Sequence, residues 1–347
     1  MNDMIRAIRF ERPERIPMGF AINDACWNHY DHSALQDLME AHSYLFPDFE
    51  RKPEPVEITP LPFAIAGEPY TDSFGCVWTT TETGIAGSVN GHPLADWAAL
   101  DSYQPPDPDT CDGRVACDWA QAHRDFKAAK IQYGFRGGFI RHGHTFLQLI
   151  DLRGYENLMF DMADEDPRLW RLIEMVEAFN TVLVKRQLAW GPDYFGFPED
   201  LGMQVGPMLS PEHFRKYIKP SYNRMMGLVR QEGLPIHMHS DGDIRALVDD
   251  LIDSGVECIN LQDLVNGVEW IRDNLKGRVC ISLDIDRQKY IRFGTPKEID
   301  DLVRYEIEQL GSPEGGLIMG ADIYPGPPLE NIAALMDAME RYATFYT

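Results

Sequence analysis

The chain lacks the sequence features that mark several large classes of protein. Among its 347 residues there are only six cysteines, and no two of them form a Cys-x-x-Cys pair. Such sparse cysteine predicts reduced thiols in the cytoplasm, not a disulfide framework. No segment approaches eighteen uninterrupted apolar residues, and the first residues have no long apolar region behind their charges. We therefore expect no membrane span and no secretory signal.

Positive charge is also scarce. The formal net charge is -23, and no cluster of lysine and arginine occurs anywhere in the sequence. Such a chain repels a phosphate backbone or an anionic membrane surface. Nucleic acid and membrane are therefore excluded as expected partners, and the sequence indicates a soluble, cytoplasmic protein with a small-molecule substrate.

The pattern of apolar residues predicts an α/β fold. Short apolar runs alternate with helical patterns, and the predicted strands cover residues 16–22, 130–135, 193–198, 235–240, 257–261, 279–283 and 316–320. Strands separated by helices imply parallel pairing through right-handed crossovers. No Gly-rich nucleotide fingerprint favours an open doubly wound sheet. We predict a (β/α)8 TIM barrel with an N-terminal extension, formed by residues 1–347 as a single domain.

Two helices are predicted with particular clarity. Residues 167–190 open with proline and repeat apolar side chains at three- and four-residue spacing, as in a helix packed on a sheet. The segment 332–342 repeats that pattern at the C-terminus. The Pro/Asp-rich segment 103–115, which precedes both helices in the sequence, is interpreted as a surface loop.

The segment 235–242 (PIHMHSDG) carries the strongest functional signal. A strand points alternate side chains to the same side, so His237, His239 and Asp241 are expected on one face where the strand ends. Barrel enzymes place their chemistry at that end. Two histidines and a carboxylate are also the ligand types of a catalytic zinc site. The alternative is that the histidines are core residues bonded to neighbouring polar groups.

Acidic residues follow several predicted strands. They are Glu199, Asp200, Asp263, Asp284, Asp286 and Asp322. Any one of them could cap a helix or bind a loop amide. Several carboxylates at one barrel mouth would repel one another unless a cation, a shared proton or a basic substrate were present. A metal bound by the two histidines with Asp241 or Glu199 would remove that repulsion.

Other polar residues give weaker signals. Arg136, His142 and His144 lie in the Gly-rich segment 135–144, which suits a lid or an anion contact, although solvated loop histidines explain it equally well. Tyr324 follows the last predicted strand and is a candidate to cover the cleft.

Eight segments give the chain a resemblance to the uroporphyrinogen decarboxylase superfamily, which also contains cobalamin-dependent methyltransferases. They are residues 11–17 (ERPERIP), 152–158 (LRGYENL), 199–204 (EDLGMQ), 209–214 (LSPEHF), 239–244 (HSDGDI), 293–299 (FGTPKEI), 320–325 (GADIYP) and 328–332 (PLENI). They span nearly the whole chain in order. The resemblance implies a (β/α)8 barrel with a cleft at its C-terminal face, but it does not fix the reaction.

The chain departs from both branches of that superfamily. The decarboxylases carry an arginine-rich N-terminal motif, whereas this chain reads MGFAINDACW at residues 18–27, and their late Gly-His is replaced by Gly320-Ala321. The methyltransferases resemble it better and bind zinc through His-x-Cys and a distant Gly-Cys. Here His239 matches the histidine, but Asp241 and Ala321 stand at the cysteine positions.

These departures lead to one preferred interpretation. A zinc ion with oxygen and nitrogen ligands is more electrophilic, which suits an oxygen leaving group. We expect O-demethylation of a methoxylated or methylated small molecule, the methyl passing to a corrinoid protein. His237 and His239 are the expected zinc ligands, with Asp241 or Glu199 as the third. Glu199, Asp200 and Asp241 are the expected catalytic residues, and Asp200 is expected to orient the substrate together with Gln204.

The expected substrate contacts are Gln204, Arg136, His144 and Tyr324. Three alternatives stay open: a metal-free hydrogen-bond network of the same residues, a decarboxylase or lyase with an arginine clamp for a carboxylate, and a non-catalytic protein that binds a corrinoid partner. Candidate clamp residues are Arg136, Arg141 and Arg153.

Overall fold

The computed structural model describes residues 2–347. They form two compact units, one built from residues 2–67, 80–86 and 260–347 and the other from residues 68–79 and 87–259. We call the first the terminal unit and the second the central unit.

The central unit contains three whole strands and part of a fourth from the parallel sheet, together with a small antiparallel sheet. Its helices and strands are β2 (Tyr70–Thr71), β3 (Val77–Thr79), β4 (Ser88–Gly91), α4 (Trp119–Tyr133), β5 (Gly138–Phe139), α5 (Phe146–Arg153), α6 (Tyr155–Ala163), α7 (Pro167–Leu188), β6 (Phe195–Pro198), α8 (Pro211–His213), α9 (Lys219–Gln231), β7 (Ile236–His239), α10 (Val248–Asp253) and the start of β8 (Cys258–Gln262). A π-helical turn, Phe214–Ile218, joins α8 to α9.

The terminal unit combines the N-terminal residues with the C-terminal third of the chain. It contains α1 (Asp3–Arg9), β1 (Met18–Ile22), α2 (Cys26–His29), α3 (His32–Ala41), the end of β8, α11 (Asp263–Asn266), α12 (Val268–Leu275), β9 (Cys280–Asp284), α13 (Tyr290–Phe293), α14 (Pro296–Leu310), β10 (Leu317–Ile323) and α15 (Leu329–Tyr342). The helices α1 to α3 with the segment that follows them account for the predicted N-terminal extension around β1.

Seven strands form one sheet in the order β1-β10-β9-β8-β7-β6-β5. The pairs β1/β10, β10/β9, β5/β6 and β6/β7 are all parallel. Strands that alternate with helices and pair in chain order are typical of the (β/α)8 class, so the predicted fold class is confirmed. Six predicted strands coincide with β1 and β6 to β10 within a few residues.

The predicted helix 167–190 is confirmed as α7. Asp166 caps it by accepting a hydrogen bond from the Arg168 amide, and Pro167 occupies the first turn, where its missing N–H costs nothing. Its predicted apolar stripe is buried from Leu169 to Leu183 except at Val182, which is exposed. The C-terminal pattern is α15. No helix within residues 2–347 is long and apolar enough to cross a membrane.

The strand predicted at 130–135 is wrong. Residues up to Tyr133 belong to α4, which ends at Gly134 in the left-handed conformation, and β5 begins only at Gly138. Ile131 is 84% exposed, so its apolar character reflects no core position. A short apolar run does not by itself distinguish a helix end from a strand.

The interpretation of 103–115 as a surface loop is only partly correct. Its beginning is exposed, but Cys111 and Gly113 are buried, and Cys111 pairs with Ala116 in an isolated β-bridge. The Asp112 carboxylate accepts hydrogen bonds from the amides of Arg114 and Val115 and so fixes this turn within the central unit.

A buried carboxyl pair lies in the terminal unit. Glu306 on α14 is fully buried, and neither of its carboxyl oxygens receives a hydrogen bond from a donor within residues 2–347. Burial, and next the adjoining Asp263 carboxyl, raise the pKa of Glu306 well above its usual value. A proton shared between these two side chains satisfies both, as expected for carboxyls too close to ionise together.

This pair predicts a pH-dependent stability. A carboxyl whose pKa is raised by folding stabilises the fold at low pH, and that contribution is lost as the pH rises above its unfolded value of about 4.3. Glu306→Gln keeps a donor toward Asp263 without a titrating group. We expect the variant to melt higher than wild type at pH 8, by about 2 °C for each unit of pKa elevation, and to show a flatter profile from pH 5 to 8.

Thermal melts across that range test the prediction. Glu308→Gln, an exposed change on the same helix, is the matched control and is expected to follow wild type. A Glu306→Gln profile as steep as that of wild type would contradict the shared-proton interpretation.

Candidate functional site

Three neighbouring strands of the central unit bring polar side chains together where they end. His239 is the last residue of β7, Asp200 lies two residues after β6, and His142 follows β5 by three residues. Pro198 pairs with His239 in the register of β6 and β7, and the Glu199 amide donates to the His239 carbonyl at 3.0 Å. Because parallel strands end at the same edge of a sheet, these side chains meet.

The side chains form a compact set of potential metal ligands. One ligand atom each from His142, Asp200 and His239 lies within 4.8 Å of the other two. The Nε2 atoms of His142 and His239 are 3.3 and 3.5 Å from the two oxygens of Asp200. We call these three residues the ligand triad. Two imidazole nitrogens and a carboxylate oxygen fit the donor set of a catalytic zinc site with an open position.

Asp200 is held in its ionised form. Burial alone raises the pKa of this carboxyl, but contacts to His142 and His239 outweigh that effect and hold the pKa well below its usual range. A carboxylate that stays charged is available to a cation at any ordinary pH. Its position is fixed by the Asp241 amide, which donates to Oδ1 at 3.0 Å.

Two glycines allow that amide to reach Asp200. A Cβ on Gly202 would lie 2.5 Å from the carbonyl carbon of Gly242, and a Cβ on Gly242, which has a φ of +80°, would lie 2.2 Å from the corresponding carbon of Gly202. Side chains at either position are excluded, because real Cβ atoms do not approach so closely. The turns after β6 and β7 are therefore in backbone contact, and Asp200 and Asp241 are adjacent as a result.

Glu199 has a different place from its neighbour Asp200. Its carboxylate is fully buried and accepts hydrogen bonds from the amides of Thr145, Phe146 and Leu147, and from the Tyr222 hydroxyl at 3.1 Å. Burial raises its pKa, while the three amides oppose the rise. These bonds anchor the first turn of α5, and through it the loop that carries His142.

The predicted ligand His237 lies outside the triad. It is half-buried on the same face of β7 as His239, one strand position deeper. Burial, followed by the charge of His239, lowers the pKa of His237 to about 4, so its imidazole is neutral near pH 7. Asp241, the predicted third ligand, has a carboxylate oxygen 3.8 Å from His239 Nε2 and so borders the triad.

The four predicted substrate contacts are dispersed. His144 is buried against Phe197 and Tyr222, with its Nδ1 2.6 Å from the Thr145 hydroxyl, and burial lowers its pKa well below the usual value. Gln204 is exposed at the tip of the turn 202–207.

The other two lie elsewhere. Arg136 is exposed and precedes β5, so it is at the amino end of the strand, opposite the triad. Its backbone pairs with Asp193 before β6. Tyr324 belongs to the terminal unit, where the Arg287 guanidinium lies 5.4 Å from its ring centre.

Sequence reasoning underrated His142. His142 lies three residues after a strand of only two residues, so no alternation of apolar and polar residues marks it. The strand itself was predicted at residues 130–135, before its place in the structure. The spacing His142-Gly-His144 could not have found it, because residues two positions apart share a face in an extended segment, whereas in the structure only His144 is buried. Asp200 was recognised, but as a substrate-orienting group and not as a ligand.

Comparisons with known proteins agree with the fold. The model of the uroporphyrinogen decarboxylase (URO-D) family matches residues 55–342, and the chain belongs to that family of enzymes. Uroporphyrinogen decarboxylases from two strains of Thermus thermophilus are 23% identical to it, over 99% of both chains in each comparison. The structure of a methyltransferase from Methanosarcina mazei covers 99% of the chain and 98% of its own, with a TM-score of 0.67 and 17% identity.

The triad predicts which histidines govern metal content. We expect His142→Ala and His239→Ala each to lower bound zinc to a small fraction of the wild-type content, because two protein ligands remain in place of three. His237→Ala should keep its zinc. Elemental analysis of protein purified without chelator, with circular dichroism to verify folding, measures this. Zinc lost from His237→Ala but retained by His142→Ala would replace the triad with the strand-face ligand set.

Glu199 predicts a loss of stability. Glu199→Gln leaves amides of residues 145–147 facing an NH2 group instead of a carboxylate oxygen. We expect the free energy of unfolding to fall by about 2–3 kcal/mol, since buried donors lose a charged acceptor. Urea unfolding measures the change, and Glu212→Gln, on an exposed residue of the same unit, is the control. An unchanged midpoint for Glu199→Gln would show that the carboxylate does not anchor α5.

Proposed function

We propose that this protein is a zinc-dependent methyltransferase that moves a methyl group from a methoxylated or methylated small molecule to a corrinoid protein. The observation that carries the proposal is the ligand triad, two imidazole nitrogens and a carboxylate within 4.8 Å of one another at the carboxyl ends of three strands. Membership of the URO-D family and the fold shared with a methyltransferase are consistent with it.

The donor set of the triad fits zinc. His142, Asp200 and His239 would hold the ion, and Asp241 stands beside His239 as a further carboxylate. When bound, zinc supplies Lewis acidity that favours release of an ether or phenolate oxygen. The chain has no thiolate in the triad, so the ligand set is harder than one with cysteines.

The residues of the chain have separable tasks in this proposal. Asp200 keeps its negative charge and holds the two imidazoles apart at a fixed distance. The Asp241 amide prevents Asp200 from rotating, and its carboxylate is placed to accept a proton or a hydrogen bond from the substrate. Glu199 keeps the loop of His142 in place. Gln204, exposed four residues after Asp200, is the proposed substrate-orienting amide.

The methyl acceptor in this proposal is cob(I)alamin carried by a partner protein. Methyl transfer to cob(I)alamin leaves the oxygen of the donor with the bonding electrons, and that oxygen then takes a proton. A cytoplasmic location is proposed because both the reduced corrinoid and the reduced thiols of the chain require it.

Decarboxylation is the second candidate. It is favoured by the relatives from Thermus thermophilus, which carry the name uroporphyrinogen decarboxylase at 23% identity. The arginine-rich motif expected of that branch is absent from residues 18–27. A substrate with many carboxylates would lack matching cations there.

The proposal predicts methylation of cobalamin. Incubation with cob(I)alamin and a panel of methoxylated aromatic and aliphatic compounds should produce methylcobalamin, measured by its absorbance. Asp200→Asn should lower the rate by about a hundredfold or more, because it neutralises the carboxylate of the triad. Arg124→Gln, on exposed α4, is the control. Decarboxylation of uroporphyrinogen without cobalamin methylation by any donor would overturn the proposal.

A further inference from the structure

A row of three residues crosses the sheet one layer below the ligand triad. Phe139 of β5 is in register with Gly196 of β6, which is in register with His237 of β7. Neighbouring residues of parallel strands point to the same side, and His237 and His239 alternate onto one face of β7. The three residues, which we call the central row, therefore lie on the face that carries His239. They are about 6.6 Å deeper, the rise of two strand residues.

The ring of Phe139 lies across Gly196. A Cβ on Gly196 would be 2.2 Å from Cδ1 and 2.4 Å from Cε1 of this ring, so any larger residue would displace it. Tyr194, two positions before Gly196 on the same face, supports the Phe139 ring in an edge-on contact with 5.3 Å between the ring centres. The Tyr194 ring also contacts that of His237, at 6.4 Å. The absence of a side chain at Gly196 therefore lets the Phe139 ring lie close to the sheet.

Phe139 is held at its backbone as well as at its ring. β5 is an end strand of the seven-stranded sheet, and the side chain of Gln187 on α7 pairs with its outer edge. The Gln187 amide oxygen accepts from the Phe139 N–H at 2.8 Å, and its NH2 group donates to the Phe139 carbonyl. One side chain thus satisfies both main-chain groups, as a further strand would. Phe139 is nevertheless 39% exposed, so a fixed ring presents apolar surface on the face of the triad.

We propose that Phe139 binds the aromatic ring of the methyl donor and so selects methoxyarenes over aliphatic methyl donors. The ether oxygen lies at the triad, where the strands end, and the ring lies one layer deeper, against Phe139. Aromatic rings pair edge-on or offset with about 4.5–7 Å between their centres. The methyl group then points away from the central row, to the open edge of the sheet, where a protein-bound corrinoid can approach. This inference rests on the proposed function for the reaction, but its binding test does not.

The depth of the central row suits a ring and not a short chain. Sites for small molecules combine apolar walls with a few directed polar groups. On this face the triad supplies the polar groups, and Phe139 supplies apolar surface one layer deeper. A short aliphatic donor whose oxygen is at the triad does not extend to that layer, whereas a benzene ring attached to the oxygen does. Only the ring therefore gains binding free energy from Phe139.

Binding of a matched pair of probes tests the inference. Isothermal titration should compare 4-methoxybenzyl alcohol with 4-methoxycyclohexylmethanol, which carry the same substituents on an aromatic and a saturated ring. We expect wild type to bind the arene about three- to tenfold more tightly, the contribution of one aromatic pair. Phe139→Leu should remove this preference, because leucine is apolar but has no ring, and Phe139→Tyr should retain it. Phe160→Leu, at an exposed phenylalanine of α6, is the matched control.

Gly196→Ala supplies an independent variant. Its methyl group pushes the Phe139 ring away from the sheet, into the space that the ring of the donor occupies. The affinity for the arene should fall, while that for 2-methoxyethanol, which does not extend to the central row, should stay at the wild-type value. Circular dichroism and zinc content verify that the variants are folded and loaded. Equal affinity of wild type for the two ring probes, or a preference that Phe139→Leu leaves intact, would overturn the inference.

The two proposals fail separately. Arene-selective binding that depends on Phe139, without methylation of cobalamin by any donor, keeps the role of Phe139 in binding and overturns the proposed reaction. Methylation of cobalamin by 2-methoxyethanol as fast as by 4-methoxybenzyl alcohol, with both rates unchanged in Phe139→Leu, keeps the reaction and overturns the role of Phe139.

Discussion

The candidate site depends on one buried charge. The Glu199 carboxylate accepts three backbone amides from the start of α5 and a hydroxyl from Tyr222. Ionised groups are tolerated in the interior only when they are fully bonded, and unpaired amides at a helix start need acceptors. Here the buried Glu199 carboxylate receives the hydrogen bonds that it needs, and the amides at the start of α5 receive an acceptor. The loop from β5 to α5 is consequently held at its α5 end, and both His142 and Gly143 lie on that loop.

Adjacent residues of one segment serve opposite ends of this arrangement. Glu199 points into the core and Asp200 to the triad, as alternation after a strand requires. His144 is likewise buried while His142 is half-exposed, but here the path of the loop, not strand alternation, separates the two side chains. Among the polar residues after these strands, some are buried and support the fold, as Glu199 and His144 do, and others are available to a ligand, as Asp200 and His142 are. That division separates residues whose substitution changes folding from residues whose substitution changes binding.

Much of the fold could be predicted from periodicity alone. The stripe of α7 and the apolar runs of β6 to β10 are repeated signals, and each reports a helix or strand that packs on a core. The site was less accessible to sequence reasoning. His237 and His239 alternate visibly, but the partner of His239 comes from the preceding strands, and its position depends on the ends of β5 and β6.

The close contact between Gly202 and Gly242 has a consequence for how this site can vary among proteins. The two glycines are forty positions apart, yet neither leaves room for a methyl group on the other. A lineage that replaces one of them must separate the two turns and lose the Asp241 amide from Asp200. The pair therefore gives a simple criterion for sorting family sequences: chains that keep both glycines together with His142, Asp200 and His239 share this geometry, and chains that lack either glycine must arrange their polar residues in another way.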